Sequence, residues 1–153
     1  GRIRVTMGVP TIAAEHVPVT AGGREFSAAV VDVGNPHVAV VLAPGELAGI
    51  DLEREPGYPS DTYPNRANVE FIEFVGPQHV RMRVWERGSA ETLACGTGTC
   101  ATVMACILNH KTENKVLVHL RGGDLTIEYD PDNNHIYMTG PATEVFHGIW
   151  EEN

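Results

Sequence analysis

The apolar positions of this chain fall mostly into short runs of period two: Ile3 to Met7, Phe26 to Val33, Val38 to Leu42, Val69 to Phe74, Val80 to Trp85, Val116 to Leu120, Leu125 to Tyr129 and Ile136 to Met138. Alternation sends successive side chains to opposite faces, so each run predicts a strand. Around Val80, Met82 and Val84, the interleaved Arg81 and Arg83 assign one face to a core and the other to solvent or a partner. Arg121-Gly122-Gly123-Asp124 and Pro131-Asp132-Asn133-Asn134 divide the last three runs into hairpins, because Gly and Asn tolerate the positive φ of tight turns. Asp51 to Asn65, rich in Pro, Asp, Glu and Tyr, reads as a long loop. One segment breaks the pattern. From Gly96 to about Asn109, small residues give way to Val103, Met104, Ile107 and Leu108 at helical spacing. Apolar around nearly its whole circumference, this helix must be surrounded by protein. The predicted class is therefore α+β, a curled, mainly antiparallel sheet wrapped around one central apolar helix. No internal repeat or interdomain linker interrupts residues 1–153, which read as one domain.

Composition narrows the function. With 42% hydrophobic and 20% charged residues the chain can bury a core, and a net charge of -9 lacks the basic footprint of nucleic-acid or anionic-membrane binding. A small-molecule or protein partner fits better. No apolar run approaches the roughly 20 residues of a membrane span and no opening resembles a secretory signal, so a cytoplasmic protein is expected. Cys95, Cys100 and Cys106 are too crowded for a disulfide framework, no CxxC pair occurs and the histidines are scattered. Reduced thiols and no metal are expected. The chain begins at Gly1 without an initiator methionine, directly in a strand pattern, as an excised domain would.

The richest stretch for chemistry is ERGSAETLACGTGTC, Glu86 to Cys100, which joins a strand to the start of the buried helix. A helix N-terminus offers unpaired N–H groups and the positive end of the dipole, so a reactive Cys95 should have its thiol pKa below the free value of about 8.5. Gly96 and Gly98 permit close approach of backbone to a ligand, and the N–H groups of Gly96 and Thr97 suit a carboxylate. Thiolate beside carboxylate site is the arrangement that removes a proton α to a carboxylate. A small buried cysteine at a tight turn would occupy the same position, and Cys100 and Cys106, inside the apolar helix, read as core.

ERGSAETLACGTGT resembles the second active-site motif of diaminopimelate epimerases. VDVGNPHVAVV, Val31 to Val41, and PNRANVEF, Pro64 to Phe71, resemble that family's motifs in the same order. IRVTMGVP, Ile3 to Pro10, is similar to its entry into the second domain, and GPATEVFHG, Gly140 to Gly148, to its closing segment. The resemblance implies that residues 1–153 are the C-terminal half of a cofactor-independent, two-cysteine epimerase interconverting LL- and meso-diaminopimelate for lysine and cell-wall precursor synthesis. The N-terminal half, with the first catalytic cysteine, has no counterpart here. Carried over by position, Cys95 is an acid/base cysteine, and Gly96 and Thr97 receive the α-carboxylate. Glu86 and Arg87 bind substrate, Asn35 and Asn68 address it through their amides, His37 and Glu86 modulate the cysteine pKa values, and Phe146 lies at a homodimer contact. Pyridoxal phosphate is disfavoured on separate grounds, because the only lysines, Lys111 and Lys115, lie in the polar stretch NHKTENK. A proline-racemase-like two-thiol isomerase and a non-catalytic binding or dimerisation module are the alternatives. Lacking its second thiol, the chain by itself is expected to be inactive.

Overall fold

The computed structural model describes residues 1–59 and 66–153. Among the described residues, ten strands precede or follow a single α-helix: β1 Arg2–Gly8, β2 Thr11–Ala21, β3 Arg24–Asp32, β4 Pro36–Leu42, β5 Asn68–Gly76, β6 His79–Glu86, β7 Ala90–Thr92, α1 Gly96–Leu108, β8 Lys115–Leu120, β9 Gly123–Asp130 and β10 His135–Pro141. A short 3₁₀ turn, Leu47–Gly49, sits between β4 and β5. The strands run in the order β1-β10-β9-β8-β6-β5-β4-β3-β2, with β7 paired to β6. Among the described strands, only β4–β5 and β6–β8 pair in parallel. Helix α1 packs against β3, β4, β5 and β6 and also against β9 and β10, which lie toward the other end of the sheet. The sheet thus curls around the helix, as the apolar circumference demanded, and leaves β1 and β2 as its two ends.

Strand alternation builds two cores from the same central strands. Ala39 of β4, Ile72 of β5 and Val80, Met82 and Val84 of β6 face α1. Val38, Val40, Val69 and Phe71 face the opposite side, where Val17 and Val19 of β2 and Leu47, Ile50 and Leu52 cover them. Within α1 every residue from Gly98 to Cys106 is buried, and each fully buried Val or Met side chain contributes about 1.5–3 kcal/mol. The helix ends in a Schellman arrangement: His110 turns to φ 54° and donates to the Ile107 carbonyl, and Lys111 donates to that of Cys106.

Two strands escaped the hydrophobic pattern. The β2 sequence TIAAEHVPVTA carries Pro18 and a bulge at His16, where φ is 58°, and its first half is largely exposed. Those features are tolerated because β2 is an edge strand, joined on its outer side by no further strand among the described residues. Strand β7 is only three residues long and owes its form to pairing with β6. The proposed loop from Asp51 has no strand or helix through Pro59 beyond a bridge between Gly57 and Thr20; its remainder, 60–65, lies outside the described residues.

The arginine face of β6 is divided. Arg81 is exposed, but Arg83 is largely covered and forms a bidentate pair with Glu91 at 2.7 and 3.1 Å while donating to the carbonyls of Leu47 and Ile50. The Arg83 hydrogen bonds hold the Glu91 carboxyl below the usual carboxylate range despite its partial burial, with Arg121 adding to the effect. A depressed carboxyl contributes stability above its unfolded value of about 4.3, and that stability is lost as pH falls through the lower folded value. Glu91→Gln is therefore expected to cost about 1–3 kcal/mol in urea unfolding at pH 7. The gap to the unaltered chain should close in the acid range below the unfolded carboxylate value.

Candidate active site

The catalytic candidates assemble where β4, β5 and β6 meet the first turn of α1. Cys95 is the residue that caps this helix, extended at φ -145° and ψ 114°, and its Sγ accepts a hydrogen bond from the Gly98 N–H at 3.4 Å. Helix geometry leaves the N–H groups of Gly96 and Thr97 without an intrahelical carbonyl. The helix start thus matches the sequence expectation, and the first turn keeps donors free beside a sulfur.

Below the turn lies a fully buried pair. His37 enters from the start of β4 and Glu70 from β5, both with no exposed surface, and His37 Nδ1 stands 2.6 Å from Glu70 Oε1. On the other edge of the ring, Nε2 is 3.0 Å from Thr97 Oγ1 and 3.2 Å from Asn35 Oδ1. Thr97 Oγ1 in turn lies 3.7 Å from Cys95 Sγ. Asn35, His37, Thr97 and Cys95 therefore form one connected line.

Asn68, Glu86 and Arg87 make the adjoining group. The parallel register sets Asn68 of β5 opposite His37 of β4. Asn68 Oδ1 accepts the Arg87 backbone N–H at 2.7 Å, and Glu86 Oε1 accepts the Thr92 hydroxyl at 2.7 Å. Asn35, Asn68, Glu86, Cys95, Gly96 and Thr97 are half-buried and Arg87 is exposed, so the group reaches solvent. Phe146 is elsewhere in kind: it lies in the segment after β10, which has no regular element, and is 84% exposed beside the equally bare Val145, Ile149 and Trp150. Pro64 and Asn65 of the second motif lie outside the described residues.

One expectation is overturned. The Cys95 thiol is pushed above its ordinary range, not below it. Burial is the largest cause, and the negative charge of Glu70 is the next; the Gly98 N–H and the Thr97 hydroxyl pull the other way without prevailing, and Glu86 adds to the rise. The helix terminus is present, but the sulfur is desolvated and faces carboxylates. Cys100 and Cys106 are fully buried core residues, as expected, and burial drives both thiols up to about 12.

Glu70 is the residue that sequence reasoning missed. Its signal was available: in Asn68-Val69-Glu70-Phe71-Ile72, period two places an acid on the same face as Asn68 and the core residue Ile72. Burial raises its carboxyl above the usual range, while the charge and hydrogen bond of His37 oppose the rise. His37, Glu70 and Cys95 place ligand-type atoms within 4.8 Å of one another. His37 Nδ1 and Glu70 Oε1 are held to each other without an ion.

Gly98 has no room for a side chain, because a Cβ would stand 2.5 Å from Glu70 Oε1 and 3.1 Å from Cys95 Sγ. Gly98→Ala is expected to cost about 1–3 kcal/mol in urea unfolding through this overpacking. A cost no larger than that of an exposed helix substitution would refute the close approach.

Comparison with known proteins agrees with the geometry. The sequence profile of the family described as "Diaminopimelate epimerase" matches residues 29–145. The diaminopimelate epimerase of Agathobacter rectalis is 60% identical over 133 residues, covering 86% of this chain and 46% of that protein. Its counterpart from a Synechococcus strain is 42% identical over 171 aligned positions, covering 99% of this chain and 59% of that protein. The chain thus spans about half the length of the curated relatives it matches. Among solved structures, a Bacillus anthracis phenazine biosynthesis protein of the PhzF family superposes with a TM-score of 0.65 at 14% identity, covering 91% of this chain and 57% of that one. A hydroxyproline epimerase from Agrobacterium vitis does so at 0.63 and 14%, covering 91% and 49%. At such identities the likeness is one of fold, whereas the profile and the curated relatives carry the assignment. The chain belongs to the diaminopimelate epimerase family.

Proposed function

We propose that this chain is the C-terminal half of a cofactor-independent diaminopimelate epimerase and contributes one of its two acid/base thiols, Cys95. The supporting observation is the placement of Cys95 at the cap of a buried helix, with Gly98, Thr97 and the buried His37–Glu70 pair around it, inside a chain of this family. Inversion through a carbanion needs a base on one face of the α-carbon and an acid on the other. Cys95 serves one face, and a cysteine of the missing N-terminal half serves the other.

In this reading the N–H groups of Gly96 and Thr97 hold the α-carboxylate, spreading the carbanion's charge onto fixed dipoles. Glu86 takes the α-ammonium, Arg87 a carboxylate, and Asn35 and Asn68 orient the substrate with their amides. His37, touching Thr97 and Asn35, and Glu86 tune the thiol. The two lysines, Lys111 and Lys115, are both exposed, which suits chemistry without a Schiff base. Phe146 and its apolar neighbours are assigned to contacts within a cytoplasmic homodimer, or with the absent half, because so much bare aromatic surface needs a partner.

The test joins the N-terminal half of the Agathobacter rectalis enzyme to Gly1 and follows conversion of meso- to LL-diaminopimelate by chiral chromatography. Conversion abolished by Cys95→Ala is the expected result. A folded hybrid that inverts 4-hydroxyproline but not diaminopimelate would move the chain to the proline-racemase-like alternative.

A further inference from the structure

Glu70 has no task in the reading above, yet an acid with no exposed surface is costly unless something uses it. One of its oxygens is bound by His37 at 2.6 Å, whereas the other, Oε2, is buried with no hydrogen-bond partner among the described residues. Its carboxylate is also close to the reacting sulfur: Glu70, His37 and Cys95 bring their polar atoms within 4.8 Å of one another, and Glu70 Oε1 abuts Gly98, the residue whose N–H bonds Sγ. A like charge within about 4–6 Å disfavours ionisation. Glu70 has no exposed surface, so bulk water screens its side of the pair poorly.

Resting on the proposed role of Cys95, we propose that Glu70 is a positioning residue that keeps Cys95 protonated in the resting site, so that this half presents the acid and the other half the base. His37 Nδ1 holds Glu70 beside the first helical turn, and its charge and hydrogen bond favour the carboxylate against the upward pull of burial. In the direction that starts from this state, the base of the other half takes the α-proton while Cys95 S–H gives its proton to the opposite face; the Cys95 thiolate so formed, held by Gly98 N–H and the Thr97 hydroxyl, is the base of the reverse direction. The other charged or titratable groups bearing on this sulfur are Glu86 of β6, which also disfavours the thiolate, His37 of β4, and Cys100 within α1, whose thiol is up at about 12 and stays neutral. Glu70, fully buried and within 4.8 Å of the sulfur, is the better placed of the two acids, since Glu86 is half-buried and bound to the Thr92 hydroxyl.

The experiment follows iodoacetamide alkylation of the 153-residue chain against pH, with Cys95→Ser supplying the baseline. Glu70→Gln, which keeps the shape and removes the charge, is expected to move the midpoint of the profile down by about one pH unit, making alkylation about tenfold faster at pH 7.5. Glu86→Gln should move it less. An acid that merely fills space would change the unfolding midpoint but not this profile, so an unmoved or raised midpoint in folded Glu70→Gln overturns the proposal. Should that variant fail to fold, the side-chain carboxyl carbon of Glu70 is followed by NMR in the unaltered chain. Ionisation complete below the pH at which Cys95 begins to react supports the proposal; a carboxyl still protonated through that range overturns it. Neither readout involves diaminopimelate, so loss of the epimerase reading and loss of the Glu70 role are distinguishable.

Discussion

Incubated with LL-diaminopimelate, the 153-residue chain is expected to form no meso isomer above the spontaneous background. A single thiol can remove a proton and return it to the same face, but inversion needs an acid on the opposite face. Neither remaining cysteine can serve. Cys100 and Cys106 are buried in the helix that Cys95 caps, and burial holds both thiols near 12. Water on the open side of the half-site could reprotonate the carbon, yet a site open to bulk water lacks the dry, preorganised surroundings that stabilise a carbanion. Slow exchange of the α-proton in heavy water is the upper bound. Chiral chromatography checks the outcome. Turnover near an ordinary enzyme rate of about 10 per second, lost in Cys95→Ala, would show the chain to be a sufficient enzyme and the half-site reading to be wrong.

The second large effect concerns thiol selectivity. Iodoacetamide is expected to modify one cysteine of the three below pH 9.5, and Cys95→Ser to remove essentially all of that reaction. The thiolate is the nucleophile, so a thiol near 12 is less than about 1% ionised at pH 9.5 even when it is accessible, and Cys100 and Cys106 are fully covered as well. Because the Cys95 thiol is raised, its rate should still be climbing where a free cysteine, with a pKa of about 8.5, has levelled off. Across the lower part of that range the rate should fall about tenfold for each pH unit removed. Peptide mapping after alkylation locates the label. A profile that plateaus below the free-cysteine midpoint would mean that the helix terminus outweighs burial and the Glu70 charge.

Local pattern in the sequence determined the strands that alternate cleanly, the hairpin turns, the buried helix and its cysteine cap, because each follows from dihedral preference and from which face must leave water. Those properties reside within a few neighbouring residues. The strand β2 was beyond such reading: with Pro18 and a bulge at His16 its form is licensed only by the edge position that β3 provides. The site divides along the same line. The family resemblance pointed to Asn35, His37, Asn68, Glu86 and Arg87, and with the helix start to Cys95, but His37 and Glu70 are 33 positions apart and meet only because β4 and β5 pair in parallel in one register. That meeting reversed the expected state of Cys95. A helix N-terminus is a local feature and favours a thiolate, whereas desolvation and a facing carboxylate are products of packing, and here packing is the stronger influence.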